Sequence, residues 1–159
     1  MLILGTNVIS ETMRSAPSPR VLEWWSQQQS AELFMTAVTV AEIVYGIELL
    51  PQSKRRTTLL AGADRMFGRV FSGRILPFDE EAARAFPEIA ATRRAQGRPS
   101  VEFDAQIASI ARSHRATLAT RNSKAALSAW PNPGSSQTHH CSRNSRIPAR
   151  ASESKTAKP

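Results

Sequence analysis

Apolar residues in the first 120 positions follow two alternating patterns, short continuous runs and longer stripes with helical spacing. The runs cover residues 1–4, 33–35, 75–76 and 116–119, and we predict a buried strand at each. Between them, apolar side chains recur every three or four residues, which indicates amphipathic helices. Strands that alternate with helices usually form parallel sheets through right-handed crossovers. The pattern therefore predicts an α/β fold with three α/β/α layers and a mainly parallel central sheet.

Proline, glycine and capping residues mark where these helices begin and end. Pro19 suits a first helical turn, and Pro51 stops the helix that we expect to start at Thr39. Asp79 can cap a later helix, which should run toward a terminating Gly97. The predicted helices cover residues 19–29, 39–50, 54–71, 79–97 and 101–114.

The chain changes character after Trp130. A length of 159 residues, 41% of them hydrophobic, suits one folded domain, which we place at residues 1–130. Residues 131–159 contain Ile147 as their only large aliphatic residue, and we expect a disordered, Ser- and Pro-rich tail. The tail has five basic residues against Glu153 alone, and so supplies half of the formal net charge of +8. The domain itself is only mildly basic, so charge alone argues weakly for nucleic-acid binding.

Cysteine content and hydropathy indicate a cytoplasmic protein without a membrane span. Cys141 is the only cysteine, which excludes an intrachain disulfide and agrees with a reducing compartment. The N-terminus lacks the basic residues and the long apolar run of a secretion signal. Glu42 and Glu48 interrupt the apolar stretch 33–50, and acidic residues are costly in hydrocarbon.

Polar residues that follow the predicted strands are the candidates for chemistry, because sites in parallel sheets form beyond the carboxyl ends of strands. Gly5, Thr6 and Asn7 follow the first strand, and Glu42 follows the second. Arg121 and Asn122 follow the fourth, whereas Asp104 reaches the same edge only if the fold is as predicted.

Local structural roles compete with chemistry at these positions. Glu42 lies three residues after Thr39, which is the spacing of a capping box. Asp104 suits the first turn of a helix through the helix dipole, and Asn122 suits a turn. Trp24 and Trp25 suit core packing or a subunit interface better than base stacking. His139, His140 and Cys141 resemble a metal cluster, but their spacing matches no zinc pattern.

Four segments, in order, resemble the PIN-domain ribonuclease toxins of bacterial toxin–antitoxin modules, the VapC family: LILGTNVISE, TAVTVAEIVYGI, GRPSVEFDAQIASIA and ATLATRN. The similarity covers residues 1–122. It implies a PIN fold, cleavage of RNA with Mg²⁺ or Mn²⁺ as cofactor, an antitoxin partner and a homodimer. It also implies that Asp104 is a metal ligand, that Glu42 is a ligand or lies beside one, and that Asn122 is a further polar position of the site. Carboxylates suit this role because Mg²⁺ prefers oxygen ligands.

Two features depart from this family pattern. Gly5 stands where the family has an aspartate, so the site lacks one carboxylate and metal binding should be weaker. Glu11, Glu102 or water could replace it, but Glu102 should point to a different side of its helix from Asp104. After Asn122 the family's Asp-Phe pair and final apolar strand are absent, which suggests an altered reading frame and a missing edge strand.

Three functions are compatible with these patterns. The leading prediction is a metal-dependent endoribonuclease toxin by descent, with activity reduced by Gly5. The alternative is an inactive PIN-fold module that still pairs with an antitoxin or dimerises, using Trp24 and Trp25. A basic RNA-binding protein without chemistry is supported only by the net charge.

Overall fold

Parallel strands form the central sheet of this computed structural model, which describes residues 1–95, 97 and 102–120. The described strands lie in the order third, second, first and fourth, counted along the chain, and every pairing between them is parallel. Each strand lies within two residues of its predicted position, because buried parallel strands are short apolar runs. The missing edge strand, the tail and its His139, His140 and Cys141 cluster all concern residues outside the described ranges. The strands are β1 (Leu2–Leu4), β2 (Leu33–Thr36), β3 (Ile75–Leu76) and β4 (Thr117–Ala119).

Helices connect these strands and cover both faces of the sheet, which confirms the three-layer α/β prediction. The sheet divides its side chains between two cores, since successive residues of a strand point to opposite faces. Leu2 and Leu4 belong to one core, together with Ile43 from a helix. Ile3 belongs to the other core, with Ile110 from a different helix. The helices within the described ranges are α1 (Thr6–Thr12), α2 (Pro19–Ser26), α3 (Ala37–Glu48), α4 (Lys54–Arg65), α5 (Glu80–Ala95) and α6 (Glu102–Ser113).

Helix α1 follows β1 without a loop, where the sequence predicted only a turn. Gly5 is its N-cap in an extended conformation, and the carbonyl of Gly5 accepts hydrogen bonds from the backbone N–H groups of Val8 and Ile9 at 3.0 and 3.3 Å. Val8 and Ile9 are buried, so tertiary packing stabilises this short helix. As a result, Thr6 and Asn7 occupy the first turn of a helix at the carboxyl end of β1.

Helix α3 begins at Ala37, two residues before the predicted start. Thr36 is its N-cap, and the Thr36 hydroxyl accepts a hydrogen bond from the backbone N–H of Thr39 at 3.0 Å. Both threonines are fully buried. The capping box between Thr39 and Glu42 is therefore wrong, because the last residue of β2 already caps the helix.

The remaining helix boundaries follow the sequence prediction within about two residues, except that α2 ends at Ser26, three residues early, and α4 also ends early. The Asp79 carboxylate accepts a hydrogen bond from the backbone N–H of Ala82 at 2.9 Å, and Gly97 adopts a φ of +66° beyond α5. Helix α4 ends earlier than predicted and continues as a π-helical turn over Met66–Val70. Trp24 and Trp25 pack against the core that contains Ile43, which confirms their structural role.

Candidate active site

A cavity of about 290 Å³ lies at the carboxyl edge of the sheet, where the ends of β1 and β4 meet helices α3 and α6. We call it the carboxylate cavity. It contains Glu42 and Asp104, which are 62 positions apart in sequence but are brought together because α3 packs against α6. The lining residues are Gly5, Thr6, Asn7, Ser10, Glu42, Asp104, Ile107, Leu118 and Thr120.

Hydrogen bonds hold the ends of β1 and β4 together at this cavity. The backbone N–H of Gly5 donates to the carbonyl of Ala119 at 2.8 Å. The side-chain amide of Asn7 donates to the hydroxyl of Thr120 at 3.0 Å, and that hydroxyl lies 3.3 Å from the amide oxygen of Asn7. Thr120 is buried, with 6% of its surface exposed. These contacts fix the first turn of α1 against the end of β4.

Thr6 positions the Glu42 carboxylate. The Thr6 hydroxyl donates a hydrogen bond to Oε2 of Glu42 across 36 positions of sequence. This bond joins the first turn of α1 to the middle of α3, and it fixes one oxygen of the carboxylate within the cavity. Glu42 is therefore held by a neighbour at the site and not by a capping role in its own helix.

Burial and charge both act on Glu42. Burial raises the pKa of Glu42 above its ordinary value, the hydrogen bond from Thr6 lowers it, and the negative charge of Asp104 raises it again. Asp104 is thus close enough for its negative charge to affect the pKa of Glu42. No basic side chain lines the carboxylate cavity within the described residues. The two carboxylates consequently repel each other in a space that lacks a protein counter-charge.

The donor set fits a hard divalent cation, although it is small. Two half-buried carboxylates, the hydroxyls of Thr6 and Thr120 and the amide oxygen of Asn7 offer only oxygen to the cavity, and oxygen is the ligand that Mg²⁺ and Mn²⁺ prefer. A cation would also remove the repulsion between Glu42 and Asp104. In the described part of the chain, no group of three or more His, Cys, Asp or Glu side chains could hold a metal ion.

Gly5 lies at the edge of this donor set. A Cβ built on Gly5 would lie 3.2 Å from the carbonyl oxygen of Ala119 and 3.4 Å from Cβ of Thr120. The backbone of Gly5 has φ −71° and ψ 156°, which any residue can adopt. A side chain at this position therefore needs a shift of a few tenths of an ångström at the end of β4, and it would emerge beside Thr120.

The other acids that the sequence offered as substitutes do not line the cavity. Glu11 is buried on α1, where its carboxylate accepts a hydrogen bond from the backbone N–H of Ser18 at 3.0 Å. Glu102 is exposed on α6. Arg121 and Asn122, which the sequence placed after the fourth strand, lie outside the described residues. The structure thus brings together Thr6, Asn7, Glu42 and Asp104.

Sequence reasoning missed Ser10 and Thr120. Thr120 is the first residue after β4, so the rule that sites follow the carboxyl ends of strands would have found it. Ser10 is reachable only through α1, the helix that the sequence analysis did not predict. It lies one helical turn after Thr6 and lines the same cavity.

Among the described helices, none has the length and apolar character that crossing a membrane requires.

Known proteins share this sequence and fold. A family described as the PIN domain matches residues 2–129. Toxin FitB of Neisseria gonorrhoeae is 36% identical over 122 residues, which cover 77% of this chain and 88% of that protein. The VapC ribonuclease Y4jK of Sinorhizobium fredii is 37% identical over 125 residues, which cover 77% of this chain and 87% of that protein.

A solved structure agrees with the sequence comparison. The structure of FitAB bound to the IR36 DNA fragment contains a chain that superposes with a TM-score of 0.74 at 35% identity. The match covers 81% of this chain and 90% of that one. The chain therefore belongs to the PIN-domain family, and the relatives that it matches there include a toxin and a ribonuclease.

Proposed function

We propose that this protein is a metal-dependent endoribonuclease toxin of a toxin–antitoxin module, with activity weakened by Gly5. One observation carries the proposal: the carboxylates of Glu42 and Asp104 converge in one cavity at the carboxyl edge of a PIN-domain sheet. The family relationship supports the reaction class, since related proteins are named a VapC ribonuclease and a toxin.

Glu42 and Asp104 would hold Mg²⁺ or Mn²⁺, with Asn122 as a further polar group from the segment after β4. When bound, such an ion supplies a more acidic water and stabilises negative charge on a phosphoryl oxygen. Thr6 orients the Glu42 carboxylate, and the Asn7–Thr120 pair keeps the end of β4 in register with α1. The carboxylates must be ionised for this role, so the raised pKa of Glu42 favours activity at neutral or higher pH.

Gly5 explains the expected weakness of the site. The resemblance to the family places an aspartate here, and glycine contributes no side-chain oxygen. Fewer carboxylates bind a divalent cation less tightly and leave its position less defined. Small displacements of reacting groups can lower a rate by about 10²-fold.

The partners follow from the same relationship. We propose that an antitoxin protein binds and restrains this chain, that RNA is its substrate and that it forms a homodimer. The related FitAB structure is a complex bound to a DNA fragment, which fits a toxin that works with a second protein.

Cleavage of a panel of single-stranded and structured RNAs with Mg²⁺ or Mn²⁺ tests the proposal. We expect weak cleavage by the natural chain, and a loss of about 100-fold or more in Asp104→Asn and Glu42→Gln, because each removes a charged oxygen donor. Glu102→Gln is the matched control on α6, since the exposed Glu102 side chain does not line the cavity. Cleavage by the natural chain that neither cavity variant alters would contradict the proposal.

A substitution at position 5 should increase the rate of RNA cleavage. We expect Gly5→Asp to raise the rate by up to about 100-fold, because it restores a carboxylate beside Thr120. Gly5→Ala is its control, since alanine introduces the same Cβ against Ala119 without an oxygen donor. A natural chain that is inactive and stays inactive as Gly5→Asp would count against a weakened nuclease and favour an inactive binding module.

A further inference from the structure

A second, larger cavity of about 760 Å³ opens beside the carboxylate cavity, among residues of α1, α3 and α4. It adjoins the first, since Thr6, Ser10 and Glu42 line both. We call it the basic-rimmed groove. Its apolar lining is buried or half-buried and consists of Met13, Ile43, Ile47, Leu50 and Leu59.

Exposed cations surround this apolar floor. They are Arg14, at the end of α1, and Lys54 and Arg55, in the first turn of α4. Within the described residues, the side chains of Lys54 and Arg55 form no ion pair. The only acid in the lining is Glu42, at the boundary with the carboxylate cavity. Arg14 also pairs with Glu11 at 3.4 Å, so within the described residues the unpaired positive charge of the groove lies at Lys54 and Arg55, in the first turn of α4.

The position of these cations disfavours a purely structural role. The N-terminus of a helix carries partial positive charge, so basic residues in a first turn are unfavourable and acidic ones are preferred. The first turn of α4 contains no acidic residue. Ser53 caps only the N–H of Arg56, so a polyanion in the groove would reverse this cost by meeting both the cations and the N–H groups that this cap leaves.

We propose that the basic-rimmed groove binds the nucleotides next to the scissile phosphate of a single-stranded RNA. Phosphates contact Lys54, Arg55 and Arg14, while base faces lie on the apolar floor. Single-stranded RNA suits this groove, because paired bases cannot turn their faces onto a protein surface. A strand whose phosphate lies at Glu42 and Asp104 must continue into the neighbouring space, and this groove adjoins that position at Glu42. The inference rests on the proposed ribonuclease function.

Gly46 allows the groove to be filled without disturbing the fold. It lies on α3 in the groove lining, and a Cβ at this position meets nothing within 4 Å. Gly62 on α4 has the same open surroundings but does not line the groove, which makes it the matched control.

Binding of a fluorescein-labelled RNA of about ten nucleotides is measured by anisotropy in EDTA, so that cleavage does not interfere. We expect Gly46→Leu to weaken binding about tenfold and Gly62→Leu to leave it unchanged.

Charge variants test the rim. Lys54→Ala and Arg55→Ala should each reduce the slope of log Kd against log salt by about 0.7, which is the value for one phosphate contact with a single strand. Arg65→Ala is the control, because Arg65 lies at the opposite end of the same helix, about 16 Å away. We expect its slope to equal that of the natural chain.

Two outcomes would overturn the inference. In the first, Gly46→Leu binds the RNA as the natural chain does, and Arg65→Ala costs as much as Lys54→Ala. In the second, Gly46→Leu keeps its RNA affinity but loses a protein partner, which would assign the groove to a peptide. RNA cleavage measured in parallel separates this inference from the proposed function. If Gly46→Leu leaves RNA cleavage unchanged, only the inference about the groove is excluded. If RNA binding depends on the groove but no RNA is cleaved, only the proposed nuclease function is excluded.

Discussion

The two neighbouring cavities are built on opposite physical principles. The carboxylate cavity joins segments that are far apart in sequence, and hydrogen bonds between side chains define it. The basic-rimmed groove comes mainly from α1, α3 and α4, and an apolar floor defines it. One concentrates negative charge, the other positive charge, and Glu42 lies at the boundary between them.

This contrast shows how binding and chemistry can be separated within one small site. Glu42 weakens the metal-free fold, because burial and the negative charge of Asp104 both disfavour its ionised form. The floor of the basic-rimmed groove does not destabilise the fold in this way, since its apolar side chains stabilise the fold even when no ligand is bound. The destabilising negative charge therefore lies where we expect a metal ion, and the stabilising apolar surface lies where we expect the RNA.

The largest effect that tests this contrast is the pH dependence of cation binding. Glu42 must be ionised to bind a cation, and its pKa is raised by burial and by the charge of Asp104. Protons therefore compete with the ion as pH falls through this raised pKa, and Mn²⁺ affinity should fall about tenfold for each pH unit below it. Calorimetric titration with Mn²⁺ between pH 5 and pH 8 measures the effect.

Titration of the Glu42 carboxyl carbon by NMR in EDTA supplies the control. The midpoint should rise in Thr6→Val, which removes the hydrogen bond to the carboxylate, and fall in Asp104→Asn, which removes the repulsive charge. Midpoints that stay the same in both variants would show that the carboxylate cavity does not form as described.

A smaller effect is expected from the bond that closes the carboxylate cavity. Thr120→Val keeps the shape of a buried side chain but deprives Asn7 of its hydroxyl partner, which should lower the free energy of unfolding by about 1–3 kcal/mol. Thr117→Val is the matched control on β4, because the hydroxyl of Thr117 makes no hydrogen bond within the described residues. Urea unfolding gives both values, and equal losses in the two variants would exclude a role for the Asn7 contact.

The smallest expected effect is the loss of fold stability that the ionised carboxylate of Glu42 causes. A raised pKa means that the ionised form of Glu42 opposes folding at pH values above that pKa, and that the cost disappears as pH falls below it. Glu42→Gln should therefore raise the Tm of the metal-free protein by a few degrees at pH 7 and by less at pH 4. Because the group is half-buried and screened by solvent, we expect less than about 1 kcal/mol. A lower Tm for Glu42→Gln at pH 7 would contradict this account.

Much of the fold was predictable, because its strands are buried on both faces and appear as short apolar runs. Helix α1 was not predicted, since Gly5, Thr6 and Asn7 resemble a turn and the helix depends on the burial of Val8 and Ile9. The start of α3 was misplaced for a related reason. Thr39 is a plausible cap in sequence, but the preceding strand ends in Thr36, which forms the cap itself.

The sequence predicts which carboxylates form the candidate site, but not the hydrogen bonds that position them. Glu42 and Asp104 were chosen through the resemblance to PIN-domain toxins, and the structure brings them into one cavity. The Asn7–Thr120 bond spans 113 positions, and the Thr6–Glu42 bond spans 36. No local pattern encodes such pairs, because they exist only once the strand order is fixed. The role of Asn122 stays a prediction.

The central position of β1 sets the moment at which this site can be completed during synthesis. β1 is the first strand to be made, yet one of its two neighbours is β4, which begins at Thr117. A nascent chain still holding that segment inside the ribosome has an open edge along β1 and lacks the wall that Thr120 provides. The pocket is therefore finished only after nearly all of the described fold has been translated, so a shorter nascent chain cannot yet form the complete candidate site.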